Sequence, residues 1–232
     1  MKVVIACDSY KGCMTSREVA RRIEEGIRQV DDAVITKSYV IGDGGEGTVE
    51  AFHETCQGKK QPVSTTDAYG KKIMSEYTII DDGKTAVIEV ANIIGLNMHE
   101  REKRAPFFGS SFGVGTVMLD AVANGCQKII IGLGGSATND GGMGLLQALG
   151  CRFYDSSHKY LSPQAMNLDK VRYIDFNRLN RLEGIELIAA CDVKNHLLGE
   201  NGATFVFGKQ KGFFPNQIRK IDLGMENFRN QV

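Results

Sequence analysis

Lys128-Ile129-Ile130-Ile131-Gly132-Leu133-Gly134-Gly135-Ser136-Ala137-Thr138-Asn139-Asp140-Gly141-Gly142 is the stretch on which the fold turns. Its opening run, Lys128 to Leu133, is apolar from Ile129 onward and predicts a buried strand. A long glycine-rich turn follows, then a helix near 141–149. Strand, small-residue turn and helix in that order mark an α/β protein that binds ligands at the carboxyl end of its sheet. The turn is not a Walker A loop, because no Gly-Lys-Ser/Thr follows. Nor is it the dinucleotide fingerprint, because Ala137 stands where the third glycine belongs. Backbone amides with Ser136 and Thr138 suit a phosphate chain. Asn139 and Asp140 suit a metal or a hydroxyl nucleophile.

Upstream, residues 3–7 form a continuous apolar run that predicts a second buried strand. Thr15-Ser16-Arg17-Glu18 is a capping-box pattern opening a helix, with Val19, Ile23, Ile27 and Val30 at helical spacing. Residues 34–41 read as a strand, and Thr48 to about Cys56 as a helix stopping before Gly58. This β-α-β-α opening predicts a doubly wound sheet. Near residue 62 the pattern changes. Turn signals at Asp67-Ala68-Tyr69-Gly70 and Asp81-Asp82-Gly83-Lys84 predict three antiparallel strands, the last being Thr85–Val90. We place a domain boundary there, dividing residues 1–61 from 62–232. A helix from about Gly115 to Ala123, strands at 151–154 and 186–191 and a helix from about Pro215 complete the reading.

Three more polar loops lie at predicted strand ends. Asp8-Ser9-Tyr10-Lys11-Gly12 offers an acid, a hydroxyl and an ammonium to a phosphate or carboxylate. Asp43-Gly44-Gly45-Glu46-Gly47-Thr48 leads into a helix whose N-terminus favours an anion. Its acids Asp43 and Glu46 suit Mg²⁺ or substrate hydroxyls instead, and Asp43 also reads as a simple N-cap. Cys191-Asp192-Val193 ends an apolar strand, with Phe207-Gly208-Lys209-Gln210-Lys211-Gly212 downstream. Asp192 is a base or metal-ligand candidate and Lys211 a charge stabiliser; each reads equally well as a surface residue.

The composition narrows the function classes. The chain has 232 residues, 42% hydrophobic and 24% charged, with zero formal net charge, which gives no footprint for nucleic acid. The N-terminal apolar run is too short for a signal peptide, and no apolar run approaches a membrane span. The six cysteines show no CxxC pair and read as reduced packing residues of a cytoplasmic protein. The four histidines lack metal-ligand spacing, and no Gly-x-Ser-x-Gly elbow is present.

Taken in order and with their separations, the four polar loops, the glycine-rich turn among them, and Phe207-Gly208-x-Gln210-Lys211-Gly212 resemble the type 1 glycerate kinases, as does Thr85-Ala86-Val87-Ile88-Glu89-Val90-Ala91. The resemblance spans essentially the whole chain. It implies a two-domain α/β fold: a partial flavodoxin-like doubly wound domain and an inserted restriction-endonuclease-like α/β domain. It implies transfer of the ATP γ-phosphoryl group to D-glycerate, giving 2-phosphoglycerate, with Mg²⁺. On it, Asp192, Asp43 and Lys11 are the catalytic candidates, the two aspartates also being the candidate Mg²⁺ ligands. Asp8, Ser9, Gly44, Gly45, Glu46, Gly134, Gly135, Ser136, Thr138, Asn139, Asp140 and Lys211 are candidates for binding substrate or phosphate. The expected partner is the small molecule alone, with no nucleic acid and no membrane, and the protein a monomer or homodimer. The sequence departs from the family at Cys7, Tyr10, His196 and Phe112-Gly113-Val114. Family members are also longer, with a further glycine-rich segment and a Gly-Glu-Gly-Arg-type motif, so the resemblance implies C-terminal truncation at Val232. Two readings stay open beside it: a non-catalytic remnant that binds glycerate or nucleotide, and a kinase for another small hydroxy acid.

Overall fold

A computed structural model describes residues 1–10 and 13–232. Strand β1 (Lys2–Cys7) leads to helix α1 (Ser16–Val30) and strand β2 (Ile35–Val40), and the two strands pair in parallel. The capping box at the start of α1 is formed. Thr15 N–H donates to Glu18 Oε2 at 2.8 Å, and Glu18 N–H to Thr15 Oγ1 at 3.2 Å.

Two expectations for this region need correction. The run 3–7 is not buried throughout: Ile5 is 5% exposed but Val4 61%. In a two-stranded sheet successive side chains face opposite ways, and α1 packs on both strands. The α1 stripe is likewise buried only at its start, at Val19 and Ala20, while Ile23 and Val30 are exposed. An apolar pattern records a tendency to be covered; two strands do not supply enough cover for it.

Helix α2 (Thr48–Thr55) connects to a five-stranded sheet. Strands β3 (Lys59–Thr66), β4 (Lys72–Ile80) and β5 (Thr85–Glu89) run antiparallel, as the turn signals predict. After helix α3 (Ala91–Ile94) and helix α4 (Phe112–Ala123), strand β6 (Lys128–Gly132) joins β5 in parallel. Helix α5 (Met143–Ala148) and the antiparallel pair β7 (Arg152–Tyr154) and β8 (Tyr173–Asp175) follow. Strand β9 (Glu186–Ala190) pairs in parallel with β6, giving the order β3-β4-β5-β6-β9. Helices α6 (Ala203–Lys211) and α7 (Pro215–Arg229) complete the chain as described. The architecture is mixed α/β around a central mixed sheet.

Two cores stabilise it. In one, Tyr77, Ile88, Ile129 and Ile131 of the sheet pack with Val114, Val117 and Met118 of α4. Each such fully buried side chain contributes about 1.5–3 kcal/mol. The other joins Met143, Phe153 and Leu168 to Met225 and Phe228 of α7. Pro106–Ala123 is in fact long and apolar enough, by length and composition alone, to cross a membrane; half of it is buried inside the protein.

Candidate active site

The parallel strands β5, β6 and β9 end side by side at Glu89, Gly132 and Ala190, and two of the candidate loops, the glycine-rich turn after β6 and Cys191–Val193 after β9, leave from those ends. The Gly134–Gly142 turn lies directly on the Asp43–Thr48 loop: Gly134 N–H donates to Gly44 C=O at 2.9 Å, and Leu133 N–H to Ala190 C=O at 3.1 Å. This stacking uses the glycines. A Cβ on Gly134 would sit 2.7 Å from Gly45 Cα. One on Gly44, whose φ is +90°, would sit 2.6 Å from the Ala190 carbonyl oxygen. Three of the four sequence-predicted loops are thereby fused backbone to backbone. Thr48 closes the middle one, donating to Gly45 C=O at 2.8 Å and accepting from Gly44 N–H at 3.0 Å.

Each of the two glycine-rich loops opens a helix, and each helix start is covered by a buried acid. At α5, Asp140 accepts from Ser111 N–H at 2.7 Å, Ser111 Oγ–H at 2.8 Å, Gly144 N–H at 3.0 Å and Gly142 N–H at 3.3 Å. Those bonds saturate the carboxylate and tie the turn to the start of α4. At α2 the N-cap is Gly47, which has no side chain to offer. The acid comes from the sheet: Glu89, 1% exposed, accepts from Val49 N–H at 3.1 Å. Burial pushes its carboxyl up to about 7, against the lowering pull of the Val49, Gly47 and Thr48 amides and with Glu46 adding to the rise. Its Oε1 is buried with no hydrogen-bond partner among the described residues. Both positive helix ends are therefore turned toward protein carboxyls, so an incoming anion would meet the loop backbone and side chains instead.

Lys211 supplies the cation. It ends α6, and Nζ donates to Ser136 Oγ at 2.9 Å and also to Thr138 C=O. Enclosure by protein lowers its pKa to about 8, while Asp140 partly restores it. An ammonium so poorly hydrated gains more than a surface lysine from an arriving anion. Thr138 and Asn139 are buried, and Asn139 Nδ2–H donates to Thr204 Oγ1 at 3.0 Å, joining the turn to the start of α6.

The other candidates are placed as follows. Asp43 Oδ1 accepts from Gly45 N–H at 2.9 Å, so the acid bends its own loop. Glu46 Oε2 accepts from Asn97 Nδ2–H at 3.1 Å. Asp192 follows β9 and is exposed. Asp8 Oδ1 accepts from the neighbouring Ser9 N–H at 2.7 Å, and Ser9 Oγ is buried with no partner among the described residues. Lys11 and Gly12 lie outside the described residues. Among the described residues no group of three or more His, Cys, Asp or Glu forms a metal cage. A cavity of about 270 Å³ lined by Phe107, Phe108, Lys170 and Lys220 shares no residue with these loops.

Sequence reasoning passed over Glu89, Asn97 and Arg104. Glu89 had a readable signal: a charged residue in the otherwise apolar run Val87-Ile88-Glu89-Val90. The segment after β5 carries the glycine-rich turn, with Leu96 N–H donating to Gly135 C=O at 2.7 Å and Ala137 N–H to Ile94 C=O at 2.8 Å. No local pattern reveals such a contact.

Known proteins resemble this chain in sequence and fold. The family model for the glycerate kinase family matches residues 3–232. A protein named glycerate 2-kinase from Escherichia coli (strain K12) is 41% identical over 233 residues, covering 100% of this chain and 61% of that protein. A glycerate kinase from Halalkalibacterium halodurans is 39% identical over 231 residues, covering 99% of this chain and again 61% of the relative. A crystal structure of a Salmonella typhimurium LT2 protein assigned as glycerate kinase 2 superposes with a TM-score of 0.83 at 38% identity, over 100% of this chain and 63% of that one. The chain thus spans about three-fifths of the length of the relatives it matches. Matched by the family model over residues 3–232 and 41% identical across its whole length to a glycerate 2-kinase, the chain belongs to the glycerate kinase family.

Proposed function

We propose that this chain carries the site at which a glycerate kinase moves the γ-phosphoryl group of ATP to a hydroxyl of D-glycerate, giving 2-phosphoglycerate and ADP and releasing the hydroxyl proton. The observation that supports this most is Lys211 held by Ser136 and Thr138 over the glycine-rich turn. Phosphoryl transfer asks a protein mainly to position its reactants and offset phosphate charge. Lys211 and the amides of Gly135 and Ser136 face that task here, with Lys11 and the Asp8-Ser9 pair as further candidates on the first loop, while the Gly134 amide is held by the Gly44 carbonyl. Asp140 and Asn139 hold the turn in shape. Thr138 presents its carbonyl to the lysine, and Gly44 and Gly45 allow the close packing beneath it.

Asp43 and Asp192 are the candidate acids for taking the hydroxyl proton or holding Mg²⁺. Their hard oxygens, on adjoining loops, fit an ion that usually takes one or two carboxylates and leaves its other positions to phosphate and water. Bound Mg²⁺ would neutralise phosphate charge at that end of the site. We further propose that residues 1–61 are the N-terminal part of a flavodoxin-like domain and 62–232 an inserted domain. The separation of β1–β2 from the five-stranded sheet supports that division. The substrate is a small molecule, the location cytoplasmic, and the protein a monomer or homodimer.

A coupled ATP-consumption assay with D-glycerate tests the reading, with the Escherichia coli relative run in parallel. Glycerate-dependent ADP release supports it. No release from the folded chain, while the relative turns over, favours the non-catalytic reading, and turnover only with another hydroxy acid reassigns the substrate.

A further inference from the structure

We propose that Arg104 is the positioning residue that holds Lys211 against the Gly134–Ser136 turn. The inference rests on the reading of Lys211 as the cation that meets the reacting anion. Arg104 is half-buried, and no described carboxylate lies within ion-pair distance of it. Its guanidinium is spent on three backbone carbonyls instead. Nη1–H donates to Gln210 C=O at 2.7 Å, Nη2–H to Leu96 C=O at 3.0 Å and Nε–H to His99 C=O at 3.3 Å. Gln210 immediately precedes Lys211, in the last turn of α6, where carbonyls lack helical partners and the helix end is negative. Leu96 belongs to the segment that carries the glycine-rich turn through Gly135 and pairs at Gly95 with Ser136.

The contacts close a circuit: turn, segment 94–97, Arg104, end of α6, Lys211, and back to the turn at Ser136. Only a planar fork with several donors can span three carbonyls of this kind, so lysine would replace it only in part. The approach is tight. A Cβ on Gly212, whose φ is +107°, would lie 3.2 Å from Arg104 Cβ. Phe107 and Phe213, just beyond, meet edge-on with centroids 5.2 Å apart. With the helix end pinned, the Lys211 ammonium stays on Ser136 and away from bulk water. Asp140 is the carboxylate that acts on it electrostatically.

The test is lysine NMR on the full chain labelled with ¹³C at Cε, following Lys211 against pH, with Lys211→Arg to assign its signal. In the unsubstituted protein Lys211 is expected to titrate near 8, lowered by its burial. Arg104→Gln is expected to move that value a unit or more toward the ordinary 10.5 while the circular dichroism stays that of the folded chain. Arg104→Lys is expected to move it by about half as much. A Lys211 titration unchanged in folded Arg104→Gln overturns the proposal, as does an ordinary lysine value in the unsubstituted protein. Should Arg104→Gln fail to fold, Arg104→Lys decides: a shift supports the proposal and no shift overturns it. Loss of glycerate turnover in the unsubstituted chain, with the Lys211 shift intact, would count against the kinase reading and not against Arg104.

Discussion

The two glycine-rich loops solve one problem in different ways. Both open a helix, and both satisfy its first amides with a buried carboxyl from another part of the chain or turn. At the Gly134–Gly142 turn, Asp140 is saturated by four hydrogen bonds from Ser111, Gly142 and Gly144. At the Asp43–Thr48 loop, Glu89 has one oxygen bonded and the other without a hydrogen-bond partner among the described residues, and burial raises its carboxyl to about 7. A saturated carboxylate is a brace. A half-satisfied one holds a proton near neutrality, so the loop it anchors is tied to pH.

Removing the brace should cost most. Asp140→Ala strands the Ser111 and Gly144 amides inside the protein. We expect a loss of about 3–5 kcal/mol in urea unfolding, together with loss of the Lys211–Ser136 geometry. A loss under about 1 kcal/mol would erase the contrast between the two acids.

Glu89→Gln sharpens the contrast through pH. The folded carboxyl holds its proton up to about 7, whereas the unfolded chain releases it near 4.5. The folded state therefore binds more protons between those values. Glu89 contributes stability that is fully present below 4.5 and disappears as the pH rises through about 7. The swing is on the order of 3 kcal/mol, and Glu89→Gln should flatten it in unfolding curves taken from pH 4 to 8. An equal slope in both proteins would place the proton elsewhere.

Gly134→Ala tests the seam between the loops. Its Cβ has to fit 2.7 Å from Gly45 Cα, so we expect about 1–3 kcal/mol of destabilisation. Asn97→Ala, which removes only an exposed bond to Glu46, should change stability by about 0.5 kcal/mol or less. A larger loss there would make Glu46 as much a brace as Asp140.

Much of this fold is legible in the residues, for local reasons. The Asp81–Lys84 turn sets the β4–β5 hairpin, Thr15 and Glu18 set the start of α1, and the run from Lys128 sets β6. The four loops are readable too, because small and polar residues are concentrated at strand ends. What is not legible is set by partners distant in sequence. Val4 belongs to an apolar run, yet it is exposed because it faces away from Ile5 and from the cover that buries Ile5. Phe207-Gly208-Lys209-Gln210-Lys211-Gly212 is the second half of a helix whose apolar residues show no periodic face. The glycines of the third loop look like a phosphate cradle, and at Gly134 the reason for glycine is contact with Gly45. Arg104 reaches Gln210 across more than a hundred residues, which no spacing rule detects.

The central claim is phosphoryl transfer to D-glycerate at the Lys211 cradle, and ³¹P NMR of the chain with ATP, Mg²⁺ and D-glycerate tests it most directly. The account predicts a growing phosphomonoester resonance matching 2-phosphoglycerate, slowed about 100-fold or more in folded Lys211→Met. No such resonance from the folded chain, with the Escherichia coli relative producing it in a parallel tube, would contradict the claim, and so would an undiminished rate in Lys211→Met.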